Sequence, residues 1–435
     1  MSQLAPLATG AWYEERRISL EVPPNWRVRM HLPAVPDPMA DDAIAAAVAD
    51  PVGIAPLRNL AAGRRRPLIL VDDLTRPTPV DRILPHVLSE LSAAGIAPAD
   101  VGILSATGSH GASSREAILR KVGAAGASCR LLAHDDLGPN VRLGRTSFGS
   151  RVEVDPEVAR SDLLIGIGGI YPQNTAAFGG GAKLVLGVLS RNSIADLHFG
   201  HPSDDGRYDI ANDFRRDVGE MAMLAGLQFS ISAMVDHNRQ LVWLRAGDHR
   251  AYYAAAVDEA KRMFAAPAPS QADIVIANAY PMDVSATFMR HKGLVPLLHA
   301  RRGASRVLIA ACSEGVGHHG LFPLVPRSGP GAAVTRLRRQ LRYDLRGVPG
   351  IVMRRALDAF RSRVVEGEPE QVPDARRILC YVTSRAAGLV DGDVPAMRLL
   401  DDWGAVVSTV SAEQAGKERL AVDVYACSPL QILSS

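Results

Sequence analysis

Short apolar runs rich in Val, Ile and Leu recur along this chain, and each ends in small or polar residues. They lie at 68–72, 101–105, 130–134, 163–168, 229–235, 274–277, 307–311 and 378–382. Helical patterns fall between many of them. In 80–94, Ile83, Leu84, Val87, Leu88 and Leu91 share one face; in 213–225, Phe214, Val218, Met221 and Ala222 do. Strands alternating with helices form βαβ units, so the expected fold class is α/β, with mainly parallel sheets flanked by helices. The Pro-containing stretch 265–270 follows a helical pattern and precedes a fresh strand. It divides the chain into two expected α/β domains, 1–268 and 269–435, with the active site in the cleft between them.

At 435 residues and 47% hydrophobic, the chain can bury cores of ordinary size for two such domains. A net charge of +3 is too small to argue for nucleic acid. The arginine runs 64–66 and 336–342 read as solvated faces. Four cysteines, Cys129, Cys312, Cys380 and Cys427, have no CxxC spacing, and three sit in or beside apolar runs. That argues against both a disulfide framework and a cysteine-ligated metal. The sequence has neither a signal-peptide h-region in 1–16 nor an apolar stretch of membrane-spanning length, so the expected location is the cytoplasm. The segment 325–350, rich in Gly, Pro and Arg, reads as irregular.

In parallel α/β sheets ligands bind beyond the carboxyl ends of the strands, so the loops after each run are the informative ones. Asp72-Asp73-Leu74-Thr75-Arg76-Pro77-Thr78-Pro79 brings two acids, a threonine and an arginine to one strand end. The Arg76 fork suits a carboxylate or phosphate, although an N-capped loop with a surface ion pair would look similar. Thr107-Gly108-Ser109-His110-Gly111 places an acid–base group in a loop whose glycines admit close approach. Gly179-Gly180-Gly181-Ala182-Lys183 suggests a phosphate cradle. It is no Walker A loop, because Leu184 stands where Ser or Thr should be; a lysine there can instead serve as a covalent anchor. His198-Phe199-Gly200-His201 follows, with two possible metal-ligating histidines.

Taken together and in this order, the four segments resemble the nickel-dependent lactate racemase family. The segments 50–57, 212–217, 280–283 and 314–317 resemble it further, so the likeness covers about residues 15 to 320. The resemblance implies a racemase or epimerase acting on a 2-hydroxy acid by hydride transfer to and from a covalently bound nickel-pincer nucleotide. Lys183 matches the anchoring lysine and His198 the nickel ligand, with His201 as the alternative. Asp73, Thr75, Arg76, Gly180 and Gly181 match the cofactor-binding segments, and His110 matches one of two acid–base histidines. Implied partners are a small-molecule 2-hydroxy acid and the proteins that build the cofactor.

The chain departs from the family in two places. The second acid–base histidine should follow Pro172, yet this chain has Gln173, which does not titrate near neutral pH. In the run Phe288-Met289-Arg290-His291-Lys292, Lys292 keeps the expected catalytic lysine, while Met289 stands where the family has glutamine. The first departure leaves open a one-base isomerase or redox enzyme, or a cofactor-binding paralogue without turnover. His201 and His291 are the candidates for a replacement base. The second points to a substrate other than lactate.

Overall fold

The computed structural model describes residues 2–173, 175–201, 206–322, 324 and 378–434. The irregular segment expected at 325–350, with the arginine run 336–342, lies outside them. Among the described residues two six-stranded sheets dominate. The first has the order Leu241–Gly247, Leu227–Val235, Leu163–Gly169, Pro67–Asp72, Gly102–Ala106, Arg130–Ala133. Its pairs are parallel except for the edge strand Leu241–Gly247. The second has the order Met397–Leu400, Ile378–Val382, Ser305–Ala310, Ile274–Asn278, Leu420–Tyr425, Trp26–His31, and is parallel throughout. The fold is thus α/β with mainly parallel sheets and flanking helices.

Every residue of Pro67–Asp72 and of Leu163–Gly169 is buried. Strands covered on both faces by crossover helices read as continuous apolar runs, which is why the sequence announced them. Helix Val80–Ala93 turns Val80, Ile83, Leu84, Val87, Leu88 and Leu91 into the core of the first sheet. Each such buried aliphatic side chain contributes about 1.5–3 kcal/mol of transfer free energy. Helix Asp213–Ala225 starts where the Asn212 side chain accepts from the Arg215 N–H, and it packs Phe214, Val218, Met221 and Ala222 on the opposite face.

Two features fall outside the sequence expectations. The expected division at 268/269 is crossed by Trp26–His31, which pairs with Leu420–Tyr425 in the second sheet. The stretch read as a linker contains a strand, Ala265–Pro267, paired with Ile432–Ser434, and Ala266 is buried. The N-terminal segment also ties the two sheets together. Buried Asp283 accepts from the N–H groups of Gly10 (2.9 Å), Ala11 (3.1 Å) and Ala311 (3.1 Å), while Trp12 Nε1 donates to the Arg76 carbonyl at 3.2 Å. All four cysteines are buried and unpaired, as small core residues are. Among the described residues no helix is long and apolar enough to cross a membrane.

Candidate active site

Strand Pro67–Asp72 lies between Leu163–Gly169 and Gly102–Ala106, so the loops after these three strands emerge side by side. A cleft opens there, closed from the second sheet by helix Ala286–Lys292 and the 312–322 loop. In the first loop Asp72 and Asp73 both line the cleft but have different partners. Asp72 Oδ1 pairs with the buried Lys121 Nζ at 2.6 Å, and its Oδ2 accepts from Thr78. Asp73 Oδ1 accepts from the Thr75 N–H (3.0 Å) and from the Thr75 hydroxyl, while Oδ2 accepts from His110 Nδ1 at 2.7 Å.

A carboxylate acceptor on Nδ1 fixes His110 with its lone pair on Nε2, the form a general base needs. Burial lowers the His110 pKa against the raising effect of Asp73, whereas the His110 and Arg76 charges hold the Asp73 carboxyl below its usual range despite burial. The His110 ring meets Phe288 edge-on, with centroids 4.7 Å apart.

Arg76, Lys183 and Lys292 all line this cleft, and none has an ion pair among the described residues. The Arg76 guanidinium lies 5.4 Å from the centre of the Tyr171 ring and 5.7 Å from that of Phe288. Lys292 Nζ is 6.0 Å from the Tyr171 ring. Burial, then the charges of Arg76, Lys292 and Arg215, hold the Lys183 amine well below the lysine range. Burial and Arg76 bring Lys292 down to about 7. Unpaired cations sharing a desolvated cleft are costly unless an anion joins them.

His198 lies between the Phe214 and Phe322 rings, 5.2 and 5.6 Å away, and makes no hydrogen bond among the described residues. Burial and the neighbouring Lys183 push its pKa down to about 3, so the imidazole is neutral. His201, the alternative ligand and candidate base, is directed elsewhere: its Nε2 meets the buried Asp217 at 2.7 Å and it does not line the cleft. That pairing turns its Nε2 to Asp217. His291 does line the cleft, with Nε2 donating to the Phe322 carbonyl at 3.3 Å.

The other singled-out residues divide between lining and support. Gln173 lines the cleft, and its Oε1 is buried with no hydrogen-bond partner among the described residues. Thr75 does not line it; it braces Asp73 and accepts from Arg76 Nη1 at 2.9 Å. Gly180 and Gly181 do not line it either. Both have positive φ, and a Cβ at Gly181 would come within 2.9 Å of the Tyr253 ring. They turn the chain tightly enough for Lys183 to reach the cleft. Met289 points into the core against Cys380, 3.6 Å from sulfur to sulfur, so that position gives the cleft no contact. Sequence reasoning missed His319, which lines the cleft beside His110. The signal was the pair His318-His319, directly after the 314–317 segment already singled out.

Residues 13–207 match the lactate racemase N-terminal domain. Lactate racemase of Lactiplantibacillus plantarum is 29% identical over 285 residues, 63% of this chain and 66% of that protein. The enzyme of Thermoanaerobacterium thermosaccharolyticum is 29% identical over 296 residues, 65% and 68% of the two chains. Over this part of its length the chain is similar to the lactate racemases. The match spans just under two thirds of the first relative's own length, 66%. In fold, the apoprotein of the Thermoanaerobacterium thermosaccharolyticum enzyme superposes with a TM-score of 0.68 at 21% identity, covering 99% of this chain and 100% of that one. A Thermotoga maritima protein follows at 0.58 and 12% identity, covering 92% and 99%. The family's matched segment includes the loops that carry Asp73, Arg76, His110, Lys183 and His198.

Proposed function

We propose that this protein is a racemase or epimerase of a 2-hydroxy acid, working with a nickel-pincer nucleotide joined to Lys183. The supporting observation is one cleft whose groups lack partners among the described residues: Lys183 without a counter-ion, His198 without a hydrogen bond, and Gln173 Oε1 buried and unpaired. A desolvated neutral amine is the nucleophilic form that a covalent attachment requires. A neutral imidazole is the ligating form of histidine, and His198 holds it. Arg76 and Lys292 suit the negative groups of a nucleotide and a carboxylate. On these grounds the residues fit the group.

When bound, the nucleotide supplies a hydride acceptor and donor. The chain's own residues do the rest. His110 Nε2 takes the hydroxyl proton, and Asp73, on the other side of the ring, stabilises the imidazolium that forms. Arg76, from the loop after Pro67–Asp72, and Lys292, from helix Ala286–Lys292, orient the carboxylate. Tyr171, Phe288 and Phe322 shield the reacting centre from water. On the second face, Gln173 cannot take a proton, and His291 is the titratable side chain left in the cleft from the two weighed for that part.

Gln173 favours one alternative, a one-sided isomerase or redox enzyme with His110 as its single base. A panel of 2-hydroxy acids, given to chain matured with the cofactor-building proteins and read by chiral chromatography, separates the two. Racemisation supports the first reading; oxidation or rearrangement without inversion supports the second. Intact mass without an adduct on Lys183 would refute both.

A further inference from the structure

The 312–322 loop brings to the cleft a histidine that the mechanism above does not use. His319 stands edge-on to His110, ring centroids 5.1 Å apart. The backbone N–H groups of Leu321 and Phe322 both donate to its Nδ1, at 3.3 Å each, and Ser109 Oγ lies 3.2 Å from the same nitrogen. A backbone N–H can only donate. Nδ1 therefore keeps its lone pair, and the proton of the neutral ring sits on Nε2. A proton on Nδ1 would face two donors, and burial beside His110, His291, His198 and Arg76 further holds the ring neutral. Nε2 has no partner among the described residues, and the ring lines the cleft.

His110 is fixed in the opposite sense. Its Nδ1 faces the Asp73 carboxylate, which can only accept, so its lone pair is on Nε2. Two adjacent imidazoles thus offer the same cleft one acceptor and one donor. That pair is the complement of a hydroxyl group, which donates one hydrogen bond and accepts others.

We infer that His110 and His319 together read the substrate's secondary hydroxyl, its O–H donating to His110 Nε2 and its oxygen accepting from the His319 Nε2–H. The inference rests on the hydroxy-acid reading above and adds to it a substrate-contacting residue from the second sheet's side of the cleft. As the O–H bond breaks, the proton passes to His110 Nε2 and the electron pair stays on oxygen. The new imidazolium faces Asp73, and the growing charge on oxygen faces the His319 N–H, a donor already in place. His319 is then a fixed donor, and the role of second base does not fall to it. A 2-oxo acid lacks the proton that His110 accepts, so the pair distinguishes the hydroxy form from the keto form at the oxygen itself.

Two substitutions separate the ring's two nitrogens. His319→Asn keeps an acceptor near the Nδ1 position and removes the Nε2 donor; His319→Gln restores an N–H donor near Nε2. In the nucleotide-loaded chain, with its best 2-hydroxy acid, His319→Asn is expected to lower kcat by about 10²–10³-fold with little change in KM, as removal of one preorganised donor does. His319→Gln is expected to recover most of that loss. Nitrogen NMR of histidine-labelled full chain, assigned by the signal lost in either variant, should show His319 as the neutral Nε2–H tautomer at neutral pH. An Nδ1–H tautomer, or a His319→Asn enzyme with undiminished kcat, overturns the inference. Loaded wild-type chain that turns over no 2-hydroxy acid overturns the functional reading instead, whatever the NMR shows.

Discussion

Replacing Lys121 with Met should destabilise the chain by about 3–5 kcal/mol, the range for stranding one member of a buried ion pair. Lys121 is 1% exposed, and its Nζ makes three short polar contacts: Asp72 Oδ1 at 2.6 Å, the Arg76 carbonyl at 2.9 Å and the Asp73 carbonyl at 3.1 Å. Met fills nearly the same volume, so the loss is electrostatic rather than a cavity. Asp72 would be left as a buried charge whose remaining side-chain partner is the Thr78 hydroxyl, and each stranded carbonyl adds its own desolvation, about 1–3 kcal/mol when fully buried. These costs overlap, so the ion-pair range serves as the expected total. Urea unfolding of the apo chain measures it.

The pH dependence sharpens the test. Burial raises the Asp72 carboxyl even with Lys121 present, and it rises further without that counter-charge. An acid with a raised folded-state pKa costs stability above its unfolded pKa, near 4. The deficit of Lys121→Met should therefore shrink as pH falls and Asp72 becomes neutral. Adding Asp72→Asn should restore much of the loss at neutral pH. A single-variant deficit under about 1 kcal/mol, typical of an exposed pair, would refute the assignment of a buried, structure-bearing ion pair.

Three further outcomes follow from the site. Asp73→Asn exchanges the pure acceptor on His110 Nδ1 for an amide that can also donate, so kcat should fall by about 10²–10⁴-fold; an unchanged rate would show that the tautomer does not matter. His198→Ala should abolish nickel retention in matured chain while His201→Ala leaves it, because His201 is committed to Asp217; metal analysis in the reverse order would reassign the ligand. Lys292 loses its charge as pH rises through about 7, so anionic substrate should bind more weakly above that pH, and Lys292→Met should remove this limb of the pH profile. A KM profile identical in the variant would place the titration elsewhere.

Much of this site could be read from the chain because its parts are local. Strand ends carry their loops with them, so the segments holding Asp73, His110 and Lys183 had to meet once their strands were neighbours. The glycines at 180 and 181 were legible as part of a glycine-rich loop, while their positive φ and close approach to Ile170 and Tyr253 came from the tertiary structure. His201 was less legible: three residues from His198 it stood as the alternative ligand, and its partner Asp217 lies sixteen residues on. His319 was hidden for a related reason, since what defines it is the backbone of its own loop and Ser109, 210 residues earlier.

The sequence by itself determined the α/β class and pointed to the strand-end loops and to the likeness to the lactate racemases, because apolar periodicity and short motifs depend on near neighbours in the chain. Only the tertiary structure decided that Trp26–His31 pairs into the second sheet, that Met289 turns inward to Cys380, and which histidines face the cleft. The physical reason is that a side chain's direction, and for histidine the nitrogen that holds its proton, is set by whichever donors and acceptors the fold brings to it. Those partners are distant in sequence: Asp73 for His110, 37 residues away, and Ser109 for His319.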